Sequence, residues 1–272
     1  MSQYKNKIII KSPREMRLME EVGNILGEIF DLLKEDIKPG MSTYQISILA
    51  KEYMEKKNVK PTFKGYGGFP GYICTSVNST LIHGIPSKDD IIKDGDIISL
   101  DMGCISKEGY QADACRTFPV GNISDEAKRL IRCTEECFFN ALKVIKAGNR
   151  LNEISMEIQK TADKYGYSLV KEYGGHGLGR EMHEEPFIYN YYDSSLGLGP
   201  ILKPGMTLAV EPMVMQGECK INILDDDWTV VSKDGKLTCH YENDIIVTET
   251  GAIITSVDSN VRTHLKEMEE CR

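Results

Sequence analysis

The sequence predicts an α+β fold built from two related halves. Three observations carry that expectation. Two long amphipathic helical patterns stand at equivalent points of the chain. Two apolar, strand-like runs each lead to a carboxylate. Those runs are one of four sequence matches that the halves show in the same order, although the offset is not constant and the loops must differ. Because an open sheet needs its face covered, two copies sharing one core fit better than two independent units.

The elements follow in order. Residues 14–36 place Leu18, Val22, Ile25, Leu26, Ile29 and Leu33 on one stripe and predict a helix. "IKPGMSTYQIS" then supplies a Gly stop and a second helix over 43–57, and "GYGG" follows at 65–68. "IKDGDIISLDMG" (92–103) reads as a turn and a buried strand carrying Asp101. "SKEG" (106–109) marks a hairpin turn, and the strand after it carries Asp113. The second half repeats this plan. A helix over 125–147 shows Leu130, Ile131, Cys137, Phe138, Ala141, Leu142 and Ile145, with Ser124 as a simple cap. "IKAGNRLNEIS" leads to a helix over 151–165, and "EYGG" closes it at 172–175. "LKPGMTLAVEPM" (202–213) matches the first strand and puts Glu211 where Asp101 stood. "SKDG" (232–235) is the second hairpin signal, and Glu242 follows it. The pseudo-repeats span about 14–123 and 124–256 of one catalytic domain, residues 1–272.

Composition excludes several function classes. A formal net charge of −8 argues against a specific nucleic-acid partner, which leaves a basic footprint. No apolar run approaches the length of a membrane span, and three apolar residues near the N-terminus are too few for a signal-peptide core. The eight cysteines form no C-x-x-C pair, so they read as thiols in a reducing cytoplasm.

Carboxylates inside apolar strands are the chemical signal. Such groups are seldom buried unless paired or bound to a cation. Asp101 and Glu211 stand at equivalent points of the repeat, and Asp113 and Glu242 form a second related pair. A solvated strand end is the bland reading for either acid taken singly. Four converging carboxylates would repel one another, and two divalent cations carry the charge that neutralises them. An oxygen-rich set with one imidazole suits Mn, Fe or Co, with Zn a further option. The chemistry such a pair supports is hydrolysis.

"EYGGHGLGREMHEEP" (172–186) holds two of the five histidines, His176 and His183. It lacks H-E-x-x-H, since no second His follows and Pro186 would break the helix that motif needs, and it lacks G-x-G-x-x-G, since Arg180 stands at the third glycine. A satisfied structural role is the ordinary fate of a lone histidine. Here glycines flank His176, as one flanks His83 in "LIHGIP", and they are expected to let a substrate backbone approach.

"LIHGIP", "DMG…ADACRTF", "GGHGLGREMHEEP", "KPGMTLAVEPMV" and "HYENDIIVTETG", in this order, resemble the motifs of type I methionine aminopeptidases along nearly the whole chain. The resemblance implies the pita-bread fold: two pseudo-twofold halves, curved antiparallel sheet inside, helices outside. It implies Asp101, Asp113, His176, Glu211 and Glu242 as ligands of two divalent cations. Asp113 and Glu242 would bridge, Asp101 would complete one ion, and His176 with Glu211 the other. By the same resemblance Glu211 handles the nucleophile's proton, His83 contacts the substrate's amine or amide nitrogen, and His183 steadies the scissile carbonyl. Tyr66, Phe69, Cys74, Met182 and Trp228 would form the methionine pocket; the bland reading of each is ordinary core. Asn78, Thr80 and Thr238 fall where the family holds a monovalent cation, Na or K.

The implied function is removal of N-terminal methionine from nascent polypeptides at the ribosome, with a small second residue preferred, by a cytoplasmic monomer. No ribosome- or zinc-binding extension and no type II insertion is expected. One alternative is a proline-directed peptidase of the same fold, which usually carries an extra N-terminal domain. Another is a non-catalytic binding protein, which would be expected to have lost ligands. Three departures from the family pattern stand out. The span from Asp101 to Asp113 is one residue longer than the family's usual hairpin, which calls for a bulge if both acids are to face inward. Asn243 stands where a His is common, and His240 where a Gln is usual. His240 and Glu242 would share a strand face, and His240 is expected to orient a ligand by a hydrogen bond, with direct ligation the alternative.

Overall fold

The computed structural model describes residues 7–270. Helix α1 (Pro13–Asp36) opens on a capping box in which Ser12 and Glu15 satisfy each other's backbone N–H, with Pro at the first turn. Helix α2 (Thr43–Lys56) repeats the device with Ser42 and Gln45. In the second half α3 (Asp125–Leu142) has only the simple Ser124 cap, which accepts from the Ala127 N–H at 3.1 Å. Helix α4 (Asn152–Tyr165) ends on Gly166. The anticipated glycine stops are not where α1 and α3 end. Gly40 and Gly148, at φ +92° and +90°, lie in the turns beyond. A fifth helix, α5 (Ser259–Glu270), lies outside both repeats.

The first half contributes β1 (Lys60–Pro61), β2 (Cys74–Val77), β3 (Thr80–Ile82), β4 (Ile97–Ile105) and β5 (Gln111–Pro119). The second contributes β6 (Ser168–Leu169), β7 (Gly174–Gly177), β8 (Glu184–Tyr189), β9 (Thr207–Val210) and β10 (Met213–Met215). It continues with β11 (Ile221–Ile223), β12 (Val230–Ser232), β13 (Thr238–His240), β14 (Glu242–Val247) and β15 (Ala252–Ile254). A nine-stranded sheet runs β1-β4-β5-β14-β9-β7-β8, with β2 on β4 and β15 on β14. Its halves meet where β5 pairs antiparallel with β14, Cys115 opposite Glu242. Helices α1 and α2 cover β4 and β5 through one apolar cluster centred on Leu26, Phe30, Leu100 and Ala114. Helices α3 and α4 build the second around Phe138, Ile154, Leu208 and Ile245. The sheet is therefore common to both halves, while each half keeps its own helical layer.

The two hairpin signals have different outcomes. Strands β4 and β5 form a regular ladder from Ile97↔Pro119 to Ile105↔Gln111. No bulge interrupts it, so the extra residue is absorbed in the loop at its tip. Asp101 lies opposite Cys115 and Asp113 opposite Gly103, which sets both acids on one face. At "SKDG" a turn forms, with the Gly235 N–H on the Ser232 carbonyl at 3.2 Å. The strands beside it part company: β12 joins β3 and β11, and β13 joins β10.

The stripe on α1 is also wider than periodicity indicated. Met19, Gly23, Gly27 and Phe30 are buried, while Leu18 and Ile25 are only half-buried. A Cβ on Gly23 would meet Thr255 at 2.6 Å, and one on Gly27 would meet the Val257 backbone at 2.6 Å. Two glycines one turn apart thus form the groove in which the segment after β15 lies. The seven described cysteines are free, and six are buried.

Candidate metal centre

The strand pattern brings four carboxylates together from both halves. Asp101 points from the middle of β4 and Asp113 from β5; Glu211 follows β9 directly, and Glu242 opens β14. His176 comes from β7, paired with Ala209 of β9. All five line one cavity of about 650 Å³, part of it open to solvent.

Distances define two triads. Asp113, His176 and Glu242 offer ligand atoms that all lie within 4.8 Å of one another, and so do Glu211, His240 and Glu242. His176 Nε2 lies 3.9 Å from Asp113 Oδ2 and 3.7 Å from Glu211 Oε1. Its Nδ1 pairs with the Gly177 carbonyl at 2.9 Å, so it donates there and leaves a lone pair on Nε2 for a cation. Asp101 belongs to neither triad but lines the same cavity. Glu242 belongs to both, whereas Asp113, the other carboxylate expected to bridge, belongs to one.

The donor set fits divalent cations. Buried oxygens Asp101 Oδ1 and Asp113 Oδ1, and the buried nitrogen His240 Nε2, have no hydrogen-bond partner. Such atoms are costly unless something engages them. Burial, reinforced by neighbouring acids, holds the carboxyls of Asp113 and Glu242 well above the usual range, and burial does the same at Glu211. Asp101 is pushed up to about 7 by burial, with His240 opposing and Glu211 assisting. Burial lowers His176 to about 3 and His240 to about 4, which keeps both imidazoles neutral and able to ligate. Two divalent cations are the natural counter-charge for this arrangement.

Behind the ligands, Arg116 on the opposite face of β5 clamps the joint between the halves. Its guanidinium donates to the Glu242 carbonyl at 2.6 Å, Asn243 Oδ1 at 2.7 Å and Asp258 Oδ2 at 2.6 Å. Asn243 therefore serves the helix side of the sheet and not the cavity. Asp244, buried beside Glu242, accepts the Asp113 N–H at 2.7 Å and fixes that strand. Sequence alone did not single out Asp244 or Arg116; both are read only from the β5–β14 pairing.

The rest of the cavity is apolar or imidazole. Tyr66, Phe69, Cys74, Met182 and Trp228 line it with His83 and His183. Phe63 joins them and was missed, since no spacing distinguished it from core. Phe69 and Trp228 meet edge to face at 5.2 Å, and Trp228 lies 6.1 Å from the His83 ring. The Tyr66 hydroxyl and His183 Nδ1 are 2.7 Å apart. His83 is lowered to about 4 by burial, aided by His240 and His183. The Cys74 thiol is raised well above its ordinary value by burial and by Asp101, so it is inert apolar surface.

Two expectations need correction. The glycines beside His176 do not open space for substrate. A Cβ on Gly174, Gly175 or Gly177 would lie 2.2 Å from a backbone carbonyl of β8 or β9, so they are small because strands press on both sides. The same holds for Gly84 beside His83, 2.2 Å from the Thr75 carbonyl. His240 and Glu242 do not share one strand, since the chain breaks at Tyr241 between β13 and β14. At the position expected to hold a monovalent cation, the Thr238 hydroxyl lies 3.0 Å from the Asn78 carbonyl and 2.9 Å from that of Thr80, so the three oxygens are gathered.

Comparison with known proteins agrees with this geometry. The model for metallopeptidase family M24 matches residues 17–249. The methionine aminopeptidase of Clostridium acetobutylicum is 47% identical over 250 residues, covering 92% of this chain and 99% of that protein. The crystal structure of the Thermotoga maritima methionine aminopeptidase superposes with a TM-score of 0.89 at 40% identity, covering 93% of this chain and all of that one. A Xaa-Pro dipeptidase from Bacillus anthracis gives 0.74 at 26% identity, and the match spans only 62% of its length. The fold is thus the pita-bread fold, and the activity that goes with it and with the buried centre is metal-dependent removal of N-terminal methionine. The chain belongs to metallopeptidase family M24, and within it to the type I methionine aminopeptidases.

Proposed function

We propose that one catalytic unit acts on the N-termini of nascent polypeptides in the cytoplasm, with the residue roles that follow. One observation carries the reading: a single cavity is lined both by the buried carboxylates and by apolar and aromatic side chains, with His83 and His183 among them. Asp101, Asp113, His176, Glu211 and Glu242 hold two divalent cations. When bound, these supply Lewis acidity toward the scissile carbonyl and the attacking water. Glu211, buried and held high in pKa, takes the proton of that water and delivers it to the leaving amine.

The Tyr66 hydroxyl donates to His183 Nδ1, which leaves the proton on Nε2. Nε2–H then donates to the carbonyl oxygen as charge develops there, a contribution of about 3 kcal/mol. Neutral His83 accepts from or donates to the substrate nitrogen. Phe63, Tyr66, Phe69, Cys74, Met182 and Trp228 surround the methionine side chain; an aromatic and thiol lining suits a polarisable thioether. The ribosome-bound setting, the small second residue, the monomeric state and a Na or K ion at Asn78, Thr80 and Thr238 belong to the same proposal.

The test is a peptide assay. Metal-stripped protein is given Met-Ala-Ser and Xaa-Pro peptides, then Mn, Fe, Co or Zn. Methionine release that appears only on metal addition is the expected outcome. Preference for the Xaa-Pro peptide would move the protein to the proline-directed branch, and no release with any metal would overturn the catalytic reading.

A further inference from the structure

We propose that His240 is itself a metal ligand, so that this centre carries two imidazoles where the family pattern supplies one. The inference rests on the two-cation reading of the same cavity. His240 ends β13, opposite Met213 of β10, in a sheet separate from the one that carries His176. It therefore enters the cluster from a strand that carries none of the other ligands. Its Nε2 lies 3.5 Å from Glu211 Oε2 and 3.9 Å from Glu242 Oε2. Two ligands bound to one ion at about 2.1 Å lie roughly 3.0–4.2 Å apart, depending on the angle. Both spacings fall in that range. A direct hydrogen bond to either carboxylate, as an orienting role requires, would bring the atoms to about 3.2 Å or less. Nε2 makes no hydrogen bond at all, although the side chain is 2% exposed. A cation between the imidazole and the two carboxylates satisfies all three groups.

The backbone holds the ring in place. The Thr117 hydroxyl donates to the His240 carbonyl at 2.7 Å, and Ser99 braces Thr117 from the neighbouring strand at 2.7 Å. The chemical consequence is metal choice. An added imidazole favours Co, Fe or Zn over Mn, which prefers oxygen.

Loss of affinity alone would not decide the matter, because an orienting partner also costs about 10- to 100-fold. The number of bound imidazoles does decide it. Metal-stripped wild type and H240Q are loaded with Co²⁺, and paramagnetically shifted, exchangeable imidazole N–H protons are counted by NMR. Two such resonances in wild type, one of them lost in H240Q, are expected. In competition, H240Q should also shift its preference from Co²⁺ toward Mn²⁺. A single resonance in cobalt-loaded wild type overturns the assignment while leaving the two-cation reading intact. Failure of wild type to bind Co²⁺ overturns both. The wild-type spectrum decides even if H240Q does not fold.

Discussion

At the residue scale, the histidines and glycines show how much one side chain's setting decides. His176 and His183 are seven apart in sequence, and their rings stand 4.3 Å apart. One offers a lone pair to the acidic cluster, and the other turns its Nδ1 to Tyr66. Gly175 holds the first in position by letting β7 press against β9. Gly175→Ala places a methyl 2.2 Å from the Ala209 carbonyl, so one strand must move. The expected cost is about 1–3 kcal/mol by urea unfolding, with weaker metal binding because His176 is the next residue. Unchanged stability would mean that this contact is not tight. Asp101, Asp113, His176, Glu211 and Glu242 were legible as a group, because carboxylates and imidazoles in apolar strands have few other reasons to be there, and all five line the cavity. Phe63 was not legible, since an aromatic beside a glycine-rich turn reads equally well as core. The glycines were legible as special but not for the right reason. Only the neighbouring strand shows what a Cβ would strike.

At the element scale, periodicity located α1 to α4 within a few residues but not what they pack against. The stripe on α1 is broadened by Gly23 and Gly27, which receive the segment around Thr255 and Val257. Helix propensity alone makes Gly27→Ala stabilising by about 1 kcal/mol. The contact with the Val257 backbone at 2.6 Å reverses that sign, because neither helix nor segment is free to retreat. A lowered melting temperature is expected, and a raised one would show that the groove is loose. The strand after "SKEG" could be read because its ladder is local. The strand after "SKDG" could not, because its partner β10 lies two strands back in the chain, beyond β11 and β12. The same distance hid the Arg116 clamp, whose acceptors are more than 120 residues away.

At the scale of the whole molecule, the joint between the halves is also the place where charge accumulates. Without cations that charge opposes folding. Asp101 is raised from 3.8 to about 7, so its neutral form is favoured in the folded state. Its contribution is fully present below pH 3.8 and is lost as pH rises through about 7. His176, His83 and His240 are lowered below 6.5 and act oppositely, but only up to that pH. Above pH 6.5 only losses remain, from the carboxyls and from His264, which its hydrogen bond to Glu135 raises. Metal-stripped protein should therefore lose thermal stability between pH 6.5 and 8, and a divalent cation should raise its melting temperature more at pH 8 than at 6.5. A flat profile would mean that the cluster is not strained by its own charge. The most direct measurement is a calorimetric titration of Mn²⁺ or Co²⁺ into stripped protein at pH 7.5, for wild type and Glu242→Ala. Glu242 is common to both triads. Two equivalents bound by wild type, both weakened in the variant and methionine release lost with them, is the predicted result. A wild type that binds at most one equivalent, or a variant that still binds two tightly, would contradict the account.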